Sequence, residues 1–382
     1  MIPRREILLV WVLLAPAIAL AQSSPVRVSA WYWLNSAPAS EWGRDFRTIR
    51  NLGFTHAVLC WGLDLAAVSL RPEDTRQALA LCRRAGLGAY LVIWHPTHNS
   101  LERKPEFQQK DIAGRLRLSF DAFNSQWRGT QWKSYLQTVA SVLRDEPAFA
   151  GYVFDDSFLI GPIERFGGPS GKPPERILPG GDQRAAWWEQ WARETVQFIR
   201  EVDANRSHEI YLEDGEYVLG RQARQAVGLD FGRVAKHFDA VGAYTAKPWD
   251  SPESGTRLAR HTREILEKTR EAIGPDKKII YTFWVANQVE LRKPGRSRFP
   301  TVEQIRLIAD TALQFGIQHL DLYGFRIGDW AVKEEEWPQR RPGRGKTYPL
   351  TGSFPGKFLY DRSGIHDELR AYLRGLTAGG ER

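Results

Sequence analysis

Along the chain, runs rich in β-branched and aromatic residues alternate with stretches whose apolar positions recur every three to four residues. Runs of the first kind are "VRVSAWYW" (26–33), "THAVLCWGL" (55–63), "GAYLVIW" (88–94) and "AGYVFDD" (150–156). They continue with "HEIYLED" (208–214), "FDAVGAY" (238–244), "KKIIYTFWV" (277–285) and "QHLDLYGF" (318–325). Each is short and almost continuously apolar, as a parallel strand buried on both faces requires. Between them lie amphipathic segments with helix punctuation. "SEWGRDFRTIRNLG" has a Ser cap and a Gly stop, "RPEDTRQALALCRRAG" has Pro near its start and Gly at its end, and "TQWKSYLQTVASVLRDEP" is stopped by Pro147. "DQRAAWWEQWARETVQFIREVD", "RLARHTREILEKTREAIG" and "TVEQIRLIADTALQFG" follow suit, and "GIHDELRAYLRGL" closes the series. The segment after the fifth strand, about 220–236, is the weakest, broken by Gly228 and Gly232.

Strand-then-helix units repeated eight times predict an α/β fold, a single (β/α)8 TIM barrel over residues 26–376 with no linker dividing it. Long loops follow strands three (95–128), four (157–182) and eight (326–362). All three are βα loops, so they are expected at the C-terminal mouth, where this architecture builds its sites.

The N-terminus changes the picture of where the barrel works. In "MIPRREILLVWVLLAPAIALAQSS", Arg4 and Arg5 precede an apolar stretch over 7–20, and Ala19-Leu20-Ala21 offers a cleavage site. This is the grammar of a secretory signal peptide, residues 1–21, and the apolar run is short and Pro-interrupted for a membrane span. The expectation is an exported chain, periplasmic or extracellular, with no membrane anchor. Cleavage removes Arg4, Arg5 and Glu6, taking the net charge from +8 to +7. That surplus favours an anionic partner. Part of it sits in "RKPGRSR" (292–298) and "QRRPGRGK" (339–346), which carry no nucleic-acid motif and read as solvated loops. Cys60 and Cys82 allow either one disulfide or two buried thiols, and no Cys/His spacing of the zinc type occurs.

Composition adds 15 Trp, 12 Tyr and 18 Phe against a single Met, an excess that suits stacking surfaces as well as core. Many of these aromatics fall where strands end. Trp33, Trp61, Trp94, Tyr244, Trp249, Trp284 and Tyr323 would line the mouth, together with the polar His95, Asn287, Asp321 and Arg326. Carboxylates stand among them: Asp155 and Asp156 after strand four, Glu213 and Asp214 after strand five. Sugar rings present apolar C–H faces to aromatics and hydroxyl rims to Asp, Asn, His and Arg. Cleaving a glycosidic bond needs two carboxyl groups, one to protonate the leaving oxygen and one to attack or to activate water. Side chains alternate along a strand, so Asp155 and Asp156 point opposite ways. The sequence reading takes Asp156 and Glu213 as the catalytic pair, with Asp155 and Asp214 in support. A cap-and-turn role for the Asp pair, and a solvated acidic loop for the Glu213 region, are the plainer alternatives.

With "GYVFDD" at strand four and the acids at strand five, the chain resembles the TIM-barrel glycoside hydrolases. Several of those families place an acid after a similar apolar run at strand four, and Asp156 falls where the large retaining clan has its acid/base Glu. That clan's strand-seven nucleophile has no counterpart in "IIYTFWVANQ". A strand-four Asp with a strand-five Glu is similar instead to the α-amylase-like arrangement, which implies Glu213 as proton donor, although Val153 stands where that family has Arg. The resulting expectation is a monomeric glycoside hydrolase acting on a poly- or oligosaccharide, neutral or anionic, with no cofactor and no metal. Two other readings stay open. One is a non-catalytic carbohydrate-binding barrel. The other is a metal-dependent polysaccharide deacetylase, suggested by His95 and His98 together with the Asp pair, though in reversed order and with one residue fewer between the histidines.

Overall fold

The computed structural model describes residues 25–34, 39–60, 72–94, 105–110, 116–120, 123–155, 181–213, 229–245, 255–285, 300–323, 326–328, 356–358 and 365–378. Strands β1 (Arg27–Trp33), β2 (His56–Cys60) and β3 (Gly88–Trp94) alternate with helices α1 (Ala39–Leu52) and α2 (Pro72–Ala85). A small antiparallel pair follows, β4 (Gln108–Lys110) with β5 (Leu116–Phe120). Next come α3 (Ser125–Trp127), a π-helical turn (Arg128–Trp132) and α4 (Lys133–Leu143) as one continuous run. The chain continues through β6 (Phe149–Asp155), α5 (Gly181–Arg200), β7 (Glu209–Glu213), α6 (Phe231–Ala235) and β8 (Ala240–Thr245). It ends with α7 (Gly255–Ile273), β9 (Lys278–Trp284), α8 (Val302–Gln314), β10 (His319–Tyr323), a second antiparallel pair β11 (Arg326–Gly328) and β12 (Gly356–Phe358), and α9 (Ile365–Thr377).

Strands β1, β2, β3, β6, β7, β8, β9 and β10 close into one parallel barrel, with β10 returning to β1. The predicted (β/α)8 architecture is therefore the observed one. One detail differs from the sequence expectation. The run expected from Thr130 begins earlier, at Ser125, because the Asn124 side chain accepts from the Trp127 backbone N–H and caps it. The long βα loops expected after strands three and eight also each carry a short β pair, a detail the sequence reading did not address.

Alternation along each strand sorts residues between two cores. Outward-facing Val28, Ala30 and Tyr32 of β1 join the apolar layer under the helices, while Trp31 and Trp33 belong to a separate cluster inside the barrel with Val58, Val92, Val153 and Ile280. The helices present matching faces. In α1, buried Trp42, Phe46, Ile49 and Leu52 recur at helical spacing, and Tyr32 donates to the buried Asp45 carboxylate at 2.6 Å. Helix α8 opens on a Thr301/Gln304 capping box and stops at Gly316, whose φ of 92° suits glycine.

Much of the tryptophan excess is spent in this outer layer. Trp127, Trp132 and Tyr135 stack in a ladder at 5.6 Å centroid spacing, and Trp188 meets Trp191 edge-on. Arg128, only 2% exposed, is neutralised there by Glu194 at 2.7 Å. Both cysteines are free and buried, Cys60 inside the barrel and Cys82 on the buried face of α2, so of the two states the sequence allowed it is the pair of thiols that is found.

Candidate active site

The barrel interior is polar to an unusual depth. Near its N-terminal end, Glu209 accepts from Lys278 Nζ at 2.5 Å and from the Tyr90 hydroxyl at 3.1 Å, while Arg27 donates to Tyr90 at 3.0 Å. One step higher lies Asp321, fully buried. Its Oδ2 accepts from the Tyr211 hydroxyl at 2.7 Å and from Trp31 Nε1 at 3.3 Å, and its Oδ1 lies 3.0 Å from His319 Nε2. Burial opposes the Asp321 charge, but the His319 ring and the hydrogen bonds from His319, Tyr211 and Ser29 outweigh it and hold the carboxyl below the usual range. Ser29 Oγ sits 2.7 Å from that same His319 Nε2. A serine nucleophile relay uses the two ring nitrogens for its two partners, so Ser29, His319 and Asp321 are a packing network and not a triad.

At the C-terminal end the interior changes character. Asp155 and Glu213 are register partners on the adjacent strands β6 and β7. Asp155 shares the parity of Val153, a member of the inner cluster, so it belongs to the barrel interior. Its charge is felt at Cys60, whose thiol is pushed up by burial first and by the carboxylates of Asp155 and Asp321 next. Glu213 shares the parity of Tyr211 and is 4% exposed; burial first, then the charges of Asp321 and Glu213, push the Tyr211 phenol up. Opposite it on β8 stands Gly242. A Cβ at that position would overlap Glu213 Oε2 and Cδ outright and lie 2.8 Å from Oε1. The Glu213 carboxyl thus rests on the bare backbone of β8.

Aromatic rings stand on other strands of the same barrel, Trp31 and Trp33 on β1, Tyr323 on β10 and Tyr244 on β8. Tyr323 lies 4.9 Å from Trp31, 6.1 Å from Trp33 and 6.3 Å from Tyr244, centroid to centroid. Trp33 and Tyr323 are nearly buried and Tyr244 is partly exposed.

Of the residues expected from sequence, the structure brings together Asp155, Glu213, Trp33, Tyr244 and Tyr323, with Asp321 one layer below them. Trp94 and Trp284 end their strands and Arg326 starts β11, as backbone positions only. Asp156, Asp214, Trp61, His95, His98, Trp249 and Asn287 lie outside the described residues. Sequence reasoning missed Gly242 and the network of Trp31, Tyr211, Ser29 and His319. Gly242 had left a signal: a glycine inside an otherwise apolar strand marks a close approach. Among the described residues, no group of three or more His, Cys, Asp or Glu side chains is arranged to hold a metal ion.

No protein-family model matches the sequence, and no curated protein does either. Solved structures do resemble it. An endo-β-1,4-mannanase from Thermotoga petrophila superposes with a TM-score of 0.56 at 12% identity, covering 94% of this chain and 78% of that one. The catalytic domain of a β-amylase from Paenibacillus polymyxa gives 0.55 at 11% identity, covering 92% and 98%. A β-galactosidase from the psychrophilic Marinomonas ef1 gives 0.51 at 14%, covering 78% of this chain and 53% of that one, so the chain spans about half that protein's length. At such identities the likeness is one of fold: the chain is a TIM barrel of the kind that these glycoside hydrolases use.

Proposed function

We propose that this barrel is an exported glycoside hydrolase acting on a poly- or oligosaccharide, with Asp155 and Glu213 as its carboxyl pair. The observation that carries the reading is their register: two acids on neighbouring strands, both on the interior face at the strand ends of a barrel whose other strand ends carry Trp33, Tyr244 and Tyr323. Asp156, favoured by the sequence, lies outside the described residues; it would support Asp155, and Asp214 would support Glu213. The fold supports the reading, since such barrels gather their reacting groups at strand C-termini.

In this mechanism Glu213 gives its proton to the glycosidic oxygen as the C–O bond breaks. Asp155, more exposed, supplies the second carboxylate, which attacks the anomeric carbon or takes a proton from the attacking water. The aromatic rings stack on sugar faces, and Trp61, Trp94, Trp249 and Trp284, with His95, Asn287 and Arg326, would extend the subsites. Carboxyls and water suffice, so no cofactor or metal is called upon. Export rests on the N-terminal signal pattern, and no described helix is long and apolar enough to cross a membrane. The net positive charge favours uronate-containing or otherwise anionic glycans.

The test is product release from a panel of neutral and anionic polysaccharides by the mature chain, alongside Asp155→Asn and Glu213→Gln. Loss of product in both variants, with folding and glycan binding retained, is the expected result. Glycan binding without any product from the native chain would make it a carbohydrate-binding barrel. Acetate release abolished by a chelator would make it a deacetylase.

A further inference from the structure

Gly242 has no conformational reason to be glycine. Its neighbours pair regularly in β8 and β9, and its φ is not in the left-handed region. A glycine in a buried strand forfeits packing and chain entropy, so the position must need the space. What fills that space is the Glu213 carboxyl, seated where a side chain on the next strand would stand. Register fixes the consequence, because Asp155 faces Glu213 across one strand pair and Leu212 faces Val241 across the next. Asp155 and Gly242 are therefore two strand spacings apart. Neighbouring strands lie about 4.8 Å apart, so inward-pointing groups two strands apart in an eight-stranded barrel are separated by roughly 7–9 Å. Carboxyls about 5 Å apart attack the sugar directly, whereas those about 6.5–9.5 Å apart leave room for a water between carboxylate and sugar.

Resting on the glycoside hydrolase reading, we infer that Gly242 draws Glu213 away from Asp155 and thereby makes this an inverting enzyme. Gly242 is a positioning residue in this scheme. Glu213 protonates the leaving oxygen while Asp155 takes a proton from a water. That water's oxygen bonds to the anomeric carbon from the face opposite the departing group. One C–O bond forms, one breaks, and no glycosyl-enzyme bond arises.

The experiment is proton NMR of the first anomer released from a glycan that the native chain cleaves, with the kinetics of Gly242→Ala, Glu213→Asp and the double variant. The expected first product has the anomeric configuration opposite to the substrate's. Gly242→Ala is expected to lower kcat at least 100-fold with KM changed less than about two-fold. In the Glu213→Asp background, where the shorter side chain leaves room for the methyl group, the same alanine should cost less than about three-fold. A retained anomer overturns the inversion while leaving the hydrolase reading intact. An unchanged kcat in Gly242→Ala, or an equal loss in both backgrounds, overturns the positioning role. No product from any glycan overturns the inference and the hydrolase reading together.

Discussion

Asp321 and Glu213 are both acids buried inside the same barrel, about one layer apart, and they are treated in opposite ways. Asp321 is met by the Tyr211 hydroxyl, the Trp31 indole N–H and the His319 ring, so with Ser29 counted its charge is met in place by four residues from three strands, β1, β7 and β10. Glu213, the last residue of β7, is instead laid against a strand stripped of its side chain at Gly242. Charge that is tied down on all sides holds a structure together but cannot move a proton to a substrate. In the proposed scheme the acid at the end of a strand, beside Asp155, is the one arranged to act. On that proposal the lower interior serves stability and the upper serves chemistry.

The largest effect that bears on this contrast is on turnover. Glu213→Gln and Asp155→Asn are each expected to lower kcat by about 10²–10⁴-fold while leaving the melting temperature within a few degrees, measured by kinetics and thermal unfolding of the same samples. A melting temperature that collapses in Glu213→Gln would turn that residue into a second Asp321. The next largest is on stability. Asp321→Ala leaves the Tyr211 hydroxyl, the Trp31 N–H and His319 without their acceptor, and should cost about 3–5 kcal/mol in denaturant unfolding.

Acid should find the lower interior before the mouth. His56 is held down to about 3, by burial first and then by the charges of His319 and Arg27, so the folded state keeps it neutral. The unfolded chain binds a proton there below its ordinary value near 6.5, so stability is full above that pH and falls as pH drops from about 6.5 toward 3. Between pH 6.5 and 5 the loss amounts to about 1–2 kcal/mol. Asp321, whose carboxyl is held low, contributes stability above about pH 4 that is then lost as pH falls further. Unfolding curves at pH 7 and 5 for the native chain and His56→Gln check this, the variant losing less on acidification.

A milder effect is expected at the aromatic rim. Trp33→Ala should raise KM about five-fold, corresponding to about 1 kcal/mol of stacking, with little change in kcat. Smallest of all is the surface. Glu189, held at about 2 by Lys236 and Arg233, lies outside the barrel, and Glu189→Gln should shift stability by less than about 1 kcal/mol and turnover not at all.

The barrel was legible because its grammar is local. Eight apolar runs and their capped helices declare themselves residue by residue, and the parity of "GYVFDD" already implied that only one of its two acids faces inward. The candidate site was read as a set of strand ends, which is how Asp155, Glu213, Trp33, Tyr244 and Tyr323 came to be named, and their role is the proposal that the variants test. What the sequence did not reveal is pairing across the barrel. Ser29 and His319 are 290 positions apart, and Trp31 and Asp321 likewise, so their bonds follow from closure of the sheet and from nothing nearby in the chain. Gly242 marked a close approach in "FDAVGAY", but that Glu213 fills the space follows only from the register of β7 on β8. Tryptophan count alone does not divide core from mouth, and Trp127, Trp132, Trp188 and Trp191 serve the helix layer.

The contrast between the two acids is tested most directly by measuring turnover and melting temperature side by side for Glu213→Gln and Asp321→Asn, on a glycan cleaved by the native chain. The account predicts a crossed result. Glu213→Gln loses turnover and keeps its melting temperature, whereas Asp321→Asn loses melting temperature and retains most of its turnover at temperatures where it is folded. If Asp321→Asn abolishes turnover while fully folded and Glu213→Gln remains active, the chemistry lies one layer deeper, and the division of the barrel drawn from these two acids is wrong.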